Sequence, residues 1–285
     1  DNASMDAFVW NGSSWSTTVN IGQVSDATYR AFAVEYETQS GDALLVYDST
    51  NGDSTTDLNY RIWNGVSWSD NVGMDFVTDS TDPTVGLVVM AEFPDNSEDD
   101  LSLSDNSADN IVMGFIDVTN VDFHAVIWNG SAWTENLIVV NQTGGVSHTR
   151  EGMDVAFSTK SHVALAVAGN AANSLGWASY APGDTAWTSQ TAFDPDGTAG
   201  NDEIFITLAP NPSSTSDNVM YCSSSDIDDL HLILFDMNPS LIRYDIMSAD
   251  DVGNLATSAI QRPVSFAWDN IGENGLVLYN AVAGT

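Results

Sequence analysis

Short runs in which apolar and polar residues alternate follow one another along the whole chain, separated by turns rich in Gly, Asn, Asp and Ser. Alternation with a period of two over a few residues is the pattern of a half-buried β-strand, and the β-branched and aromatic content of these runs agrees with it. The stretch from residue 31 onward shows the pattern most clearly, with strands predicted at 31–36, 43–47 and 58–63 and a fourth beginning at Ser67. Corresponding first strands run through Val88, Val155, Ile206 and Phe266, and corresponding second strands cover 111–116, 163–167, 219–222 and 276–279. The chain therefore reads as groups of four strands.

Each group carries one hairpin signature. Trp10-Asn11-Gly12-Ser13-Ser14-Trp15, Trp63-Asn64-Gly65-Val66-Ser67-Trp68 and Trp128-Asn129-Gly130-Ser131-Ala132-Trp133 are near-copies. Asn and Gly both tolerate positive φ, which makes Asn-Gly a strong turn signal. A fourth copy centres on Trp187 after a longer turn through Pro182-Gly183-Asp184. A degenerate fifth turns at Asn238-Pro239 and places Tyr244 where the second Trp belongs. These markers recur at roughly even intervals, the second lengthened by an acidic insertion from Asp95 to Asn110 that reads as an exposed loop. A unit of four short strands cannot bury its own faces, so neighbouring units must stack.

The chain starts in what reads as the loop between the second and third strands of a group, and its last residue falls in the same loop. Residues 276–282 followed by 5–10 resemble the internal stretch 112–117 followed by 122–128. One group is thus expected to take two strands from each end, which removes open sheet edges. Closure within a molecule and strand exchange between neighbouring molecules, which generates a polymer, both satisfy this reading.

Over its whole length, 1–285 as a single domain, the pattern resembles the β-propeller superfamily of the five-bladed type. That group includes lectins of the tachylectin-2 type and several glycoside hydrolase families. The resemblance implies an all-β, five-bladed β-propeller of four-stranded antiparallel blades, one blade shared by the N- and C-terminal strands. It leaves activity open.

Charge narrows the partners. Six Lys and Arg stand against 40 Asp and Glu, a net charge of −34, so nothing can neutralise a row of nucleic-acid phosphates or an anionic membrane surface. Self-association must overcome repulsion through salt, divalent cations or apolar contacts. No run approaches the length of a membrane-spanning helix. With neither an initiator Met nor a leader at its start, the sequence reads as a processed chain or the visible part of a longer one, expected outside the cell or at its surface. The single cysteine, Cys222, lies in a strand and reads as a buried apolar residue.

Candidate sites follow from residue type. Trp10, Trp15, Trp63, Trp68, Trp128 and Trp133 offer flat apolar faces to a sugar or another subunit, or fill the space between blades. Asn2, Asn11, Asn129 and Asn141 lie in glycosylation sequons. Asp194, Asp196 and Asp202 around Gly197, with Glu203, suggest a calcium loop, and Asp48, Asn51, Asp53 and Asp57 a looser one, without the full EF-hand spacing. Glu35, Glu37, Glu92, Asp154 and Asp269 sit on or beside first strands, where glycosidase propellers hold an acid and a base. His124, His148, His162 and His231 show no metal-ligand spacing, and nucleophile-elbow, phosphate-loop and dinucleotide fingerprints are absent from the sequence. The expected function is a non-enzymatic structural subunit of a surface layer, fibre or appendage that forms a homopolymer. A glycan-binding propeller is the alternative, and a glycoside hydrolase the third reading.

Overall fold

The computed structural model describes residues 4–16, 19–23, 30–48, 56–76, 84–94, 110–134, 137–141, 151–170, 174–195, 203–225, 230–237, 242–249, 264–269 and 274–279. Among these residues there are twenty strands and no helix. The chain is an all-β propeller of four-stranded antiparallel blades in which strands pair in chain order.

The first complete blade consists of β3 (Phe32–Tyr36), β4 (Ala43–Tyr47), β5 (Leu58–Trp63) and β6 (Val72–Met74). The second holds β7 (Val85–Glu92), β8 (Asn110–Asp117), β9 (Asp122–Asn129) and β10 (Leu137–Val140). In the third are β11 (Met153–Phe157), β12 (Ala164–Asn170), β13 (Ser174–Tyr180) and β14 (Thr188–Ser189). The fourth contains β15 (Glu203–Pro210), β16 (Asn218–Ser225), β17 (Leu230–Asp236) and β18 (Ile242–Ala249). The remaining strands form half-blades: β1 (Ser4–Ala7) with β2 (Val19–Gln23), and β19 (Val264–Trp268) with β20 (Gly275–Tyr279). First strands β3, β7, β11, β15 and β19 lie side by side in that order, so successive blades stack at a common centre.

Seams between blades hold the apolar core. Leu44, Val46, Met113, Phe115 and Trp128 join the first and second blades. Val112, Phe123, Ile127, Val155 and Ala166 join the second and third, and Val167, Trp177, Ile206, Tyr221 and Phe235 the third and fourth. Strands β8 and β9 are buried on both faces, which explains why they read as unbroken apolar runs and not as strict alternation. Packing there is tight. A Cβ on Gly114 would stand 2.7 Å from Phe123 Cε2 and 2.9 Å from Val155 Cγ1, so only glycine lets the second and third blades approach this closely.

The two strands expected from each end are present, but the shared blade expected from them is not formed within one copy: β1-β2 and β19-β20 are separate two-stranded sheets, each packed on its own neighbouring blade. Met5, Ala7 and Val19 pack with Leu45, Tyr47 and Trp68 of the first blade. Phe266, Trp268 and Val277 pack with Met220, Cys222 and Leu232 of the fourth, where Trp268 Nε1 donates to the Ala209 carbonyl at 2.8 Å. The predicted fourth strand of the first blade begins later than expected. Ser67 to Ser69 belong to the Trp hairpin, and the strand proper starts at Val72.

Candidate functional site

The three Trp hairpins share one set of bonds. In each, the two Trp residues face each other as an antiparallel bridge, with ring centroids 5.5, 5.6 and 5.4 Å apart. The turn differs from the Asn-Gly reading. Positive φ falls on Gly12, Gly65 and Gly130 alone, as at the first central position of a type II′ turn. The preceding Asn keeps ordinary φ and accepts two backbone N–H groups through its side chain. Asn11 Oδ1 takes those of Ser13 and Ser14, Asn64 Oδ1 those of Val66 and Ser67, and Asn129 Oδ1 those of Ser131 and Ala132. A hydroxyl after the second Trp completes the motif. Ser16, Ser69 and Thr134 each accept, at 2.9 Å, the N–H of Val9, Ile62 and Ile127 in turn. This Trp-Ser/Thr element is legible in the sequence and its role was missed there.

The same place is aromatic in every unit. In the third blade Tyr180 takes the position of the first Trp, and its ring lies 5.6 Å from Trp187, reproducing the Trp pairs. In the fourth blade the position belongs to Phe235, whose partner across the turn is Arg243; Tyr244 lies opposite Leu234 and is not the second hairpin aromatic, which corrects the sequence alignment of that unit. Seven residues separate that pair, against four between the paired Trp residues of the hairpins.

Exposure at these positions depends on the preceding blade. Trp128 is 1% exposed, its ring 5.5 Å from Tyr60 and its Nε1 donating to Glu37 Oε1. Trp63, Trp68 and Trp133 are half-buried, whereas Trp10 and Trp15 are 51% and 65% exposed. Most of the hairpin aromatics are therefore packing between blades, and only the first pair stands open.

Two concave regions accompany the seams. A groove of about 340 Å³ lies between the second and third blades, lined by Asn129, Thr134, Phe157, His162, Tyr180 and Asp184. The Pro182-Gly183 turn that replaces Asn-Gly in the third blade shapes one wall. Tyr180 Oη donates to the Asp184 carbonyl at 2.5 Å, and the Asp184 carboxylate accepts the Ala181 N–H at 2.9 Å. Burial first and Asp184 second push the Tyr180 phenol above its usual range, so it stays protonated and keeps donating.

A second cavity, about 390 Å³, is lined by first-strand residues and brings together Glu35, Glu92 and Asp154. Burial raises the Glu35 carboxyl, the Tyr36 N–H opposes this and Glu92 adds to it. Asp154 is engaged with the backbone, accepting the Leu208 N–H at 2.7 Å and that of Val155 at 2.9 Å. The other two acids are elsewhere. Glu37 is buried and holds Trp128 and the Ser40 hydroxyl, while Asp269 is exposed at the β19–β20 turn, where it accepts from Asn274.

Of the calcium loop, Asp194 is half-buried, whereas Asp196 and Asp202 lie outside the described residues. In the looser loop Asp48 accepts the Val85 N–H and Asp57 that of Phe76, so both are occupied as backbone acceptors, and Asp53 lies outside the described residues. Among the described residues no group of three or more metal-ligating side chains converges. Asn11, Asn129 and Asn141 are exposed, as an acceptor sequon requires, and Asn2 lies outside the described residues, as does most of the acidic insertion. Cys222 is buried, and burial pushes its thiol up to about 12. No helix among the described residues is long and apolar enough to cross a membrane.

No family model matches the chain, and no curated protein matches it. Among solved structures it is similar to a fungal lectin from Aleuria aurantia, described as a six-bladed β-propeller with a novel fucose recognition mode. The identity is 12%, over 82% of this chain and 67% of that one, with a TM-score of 0.44. It is also similar to AofleA from Arthrobotrys oligospora, at 10% identity over 87% of this chain and 67% of that one, with a TM-score of 0.45. A third likeness is to the intramolecular trans-sialidase of Ruminococcus gnavus, at 10% identity over 83% of this chain and 47% of that one, with a TM-score of 0.41. These scores are too low to bear on activity, and the fold rests on the strand order itself.

Proposed function

We propose that the chain is a non-enzymatic, extracellular or surface-bound propeller that binds glycans. The observation that supports this is the groove between the second and third blades. Tyr180, backed by Trp187, offers a ring face, and the Asn129 amide, the Thr134 hydroxyl, His162 and Asp184 offer hydrogen-bonding groups around it. An aromatic wall with a few convergent polar groups is what a neutral sugar requires. In a glycan array, Tyr180→Ala is expected to abolish binding and Tyr180→Phe to retain most of it. Binding unchanged by Tyr180→Ala, or no glycan bound at all, removes this reading. Against catalysis, Asp154 in the axial cavity is committed to two backbone N–H groups. Of the predicted calcium-loop carboxylates Asp194 and Glu203 are described, Glu203 being buried beside Ser223 and His231, and calcium binding is retained as a proposal for titration.

A structural subunit of a surface layer, fibre or appendage is the second reading. It is supported by a different observation, the exposed apolar faces of the two half-blades.

A further inference from the structure

Among the described residues twelve large apolar side chains stand exposed, and nine of them lie on β1 and its hairpin, on β3, or on β20. Such residues scattered singly are ordinary on a protein surface, but their concentration on the two end half-blades and the strand beside one of them marks an interaction surface. Each half-blade also leaves unpaired a strand edge that is covered inside every complete blade, since among the described residues β1 pairs with β2 alone and β20 with β19 alone.

We propose that a second copy of this chain covers these surfaces: β20 of one copy pairs antiparallel with β1 of the next, completing a blade in the order β19-β20-β1-β2. This deepens the structural-subunit reading and names its interface. Within one copy the two halves belong to separate sheets, each fastened to a different blade, and their outer faces stay open.

The internal blades fix the register. At the end of the β7–β8 pair Phe93 N–H donates to the Asn110 carbonyl, and Asp269 N–H to the Asn274 carbonyl is the counterpart in the β19–β20 half-blade. Gly275 therefore holds the place of Ile111, which lies opposite Trp128, and Leu276 that of Val112, opposite Ile127. Because Trp10 holds the place of Trp128, Gly275 falls opposite Trp10, Leu276 opposite Val9 and Leu278 opposite Ala7.

That register accounts for both exposed faces at once. Ala7 already faces the first blade, so Leu276 and Leu278, each 73% exposed, extend its apolar face inward. There they meet Phe32 and Val34, which lie opposite Tyr47 and Leu45 on that same side and are 45% and 56% exposed. On the reverse side, Phe8 and Trp10 join Val277, which packs on the fourth blade. They then cover that blade as Trp128 covers the first. A slip of one residue would turn every one of these side chains to the wrong face. Since each copy carries both halves, the contact is head-to-tail and generates filaments or rings. Net charge −34 opposes association, so assembly must strengthen as salt screens it.

Single-cysteine variants test the interface between copies. Val9→Cys and Leu276→Cys proteins, mixed and oxidised at about 1 M salt, where the Debye length falls to ~3 Å, are expected to give a disulfide-linked dimer. The double variant is expected to give a ladder of higher species. Cys222 does not compete, being buried with its thiol pushed up to about 12. Pairing Val9→Cys with Val277→Cys, one residue out of register, is expected to lose the product, and Trp10→Ala to lose salt-induced assembly in sedimentation. No product from the mixed single variants, or only internally bridged single copies from the double variant, overturns the proposal. If the unmodified chain still sediments as a polymer under the same salt, the structural-subunit reading survives and only this interface is lost.

Discussion

Trp128 and Trp10 occupy the same place in the same hairpin, with the same glycine at positive φ and the same hydroxyl clamp, yet one is 1% exposed and the other 51%. Local sequence builds the hairpin in both cases. The difference comes from the preceding blade: Tyr60 and Glu37 receive Trp128, and among the described residues of one copy no such pair receives Trp10, which is 51% exposed. The hairpin is thus an autonomous turn that carries an adhesive aromatic pair, and what it adheres to is set by its position in the array.

The sharpest way to break this comparison is to truncate both residues. Trp128→Ala should cost roughly 3–5 kcal/mol, since it leaves a cavity and strips a buried carboxylate of a donor. Trp10→Ala should stay within about 0.5 kcal/mol in single copies. Thermal denaturation in dilute solution measures both, and equal losses would refute the assignment. Next in size, Gly114→Val should destabilise by about 1–3 kcal/mol through overpacking between the second and third blades, seen in the same melting curves. If it is neutral, the seam is looser than its geometry indicates.

Smaller still is the clamp. Thr134→Val removes the acceptor of the Ile127 N–H and should cost about 1 kcal/mol, with the equivalent Ser16→Ala costing less because its hairpin is open to water. Denaturant midpoints resolve the pair. The smallest effect is pH-dependent. Burial raises the Glu35 carboxyl above its ordinary value of 4.5, so its stabilising contribution is complete below that pH and is lost as pH rises through the raised value. Glu35→Gln should therefore gain stability over the parent at pH 7 and lose that advantage near pH 4.5. A constant difference across this range would show that the carboxyl titrates normally.

Much of the fold is legible in the sequence because strand period and turn chemistry are local. Strands β4 and β5 fall where alternation places them, and the two half-blades follow from matching 276–282 with the internal stretch 112–117. Reading fails where a tertiary partner decides the outcome. Nothing around Tyr180 marks it as the equivalent of a Trp until the pairing of Ala164 with Tyr180 fixes its place, and Tyr244 misleads because its turn is longer. The groove at Tyr180 and Asp184 was missed for the same reason, its walls coming from hairpins far apart in the chain. Glu37 reads as a candidate acid near the axis, and only the fold shows that it anchors Trp128.

Site-resolved oxidation of tryptophan, followed by mass spectrometry, tests most directly whether the preceding blade sets the burial of each hairpin. In dilute single copies Trp10 and Trp15 should oxidise rapidly while Trp128 is protected, and protection of Trp10 should appear as copies assemble in rising salt. Trp10 as protected as Trp128 in verified single copies would contradict the open end half-blades on which this architecture depends.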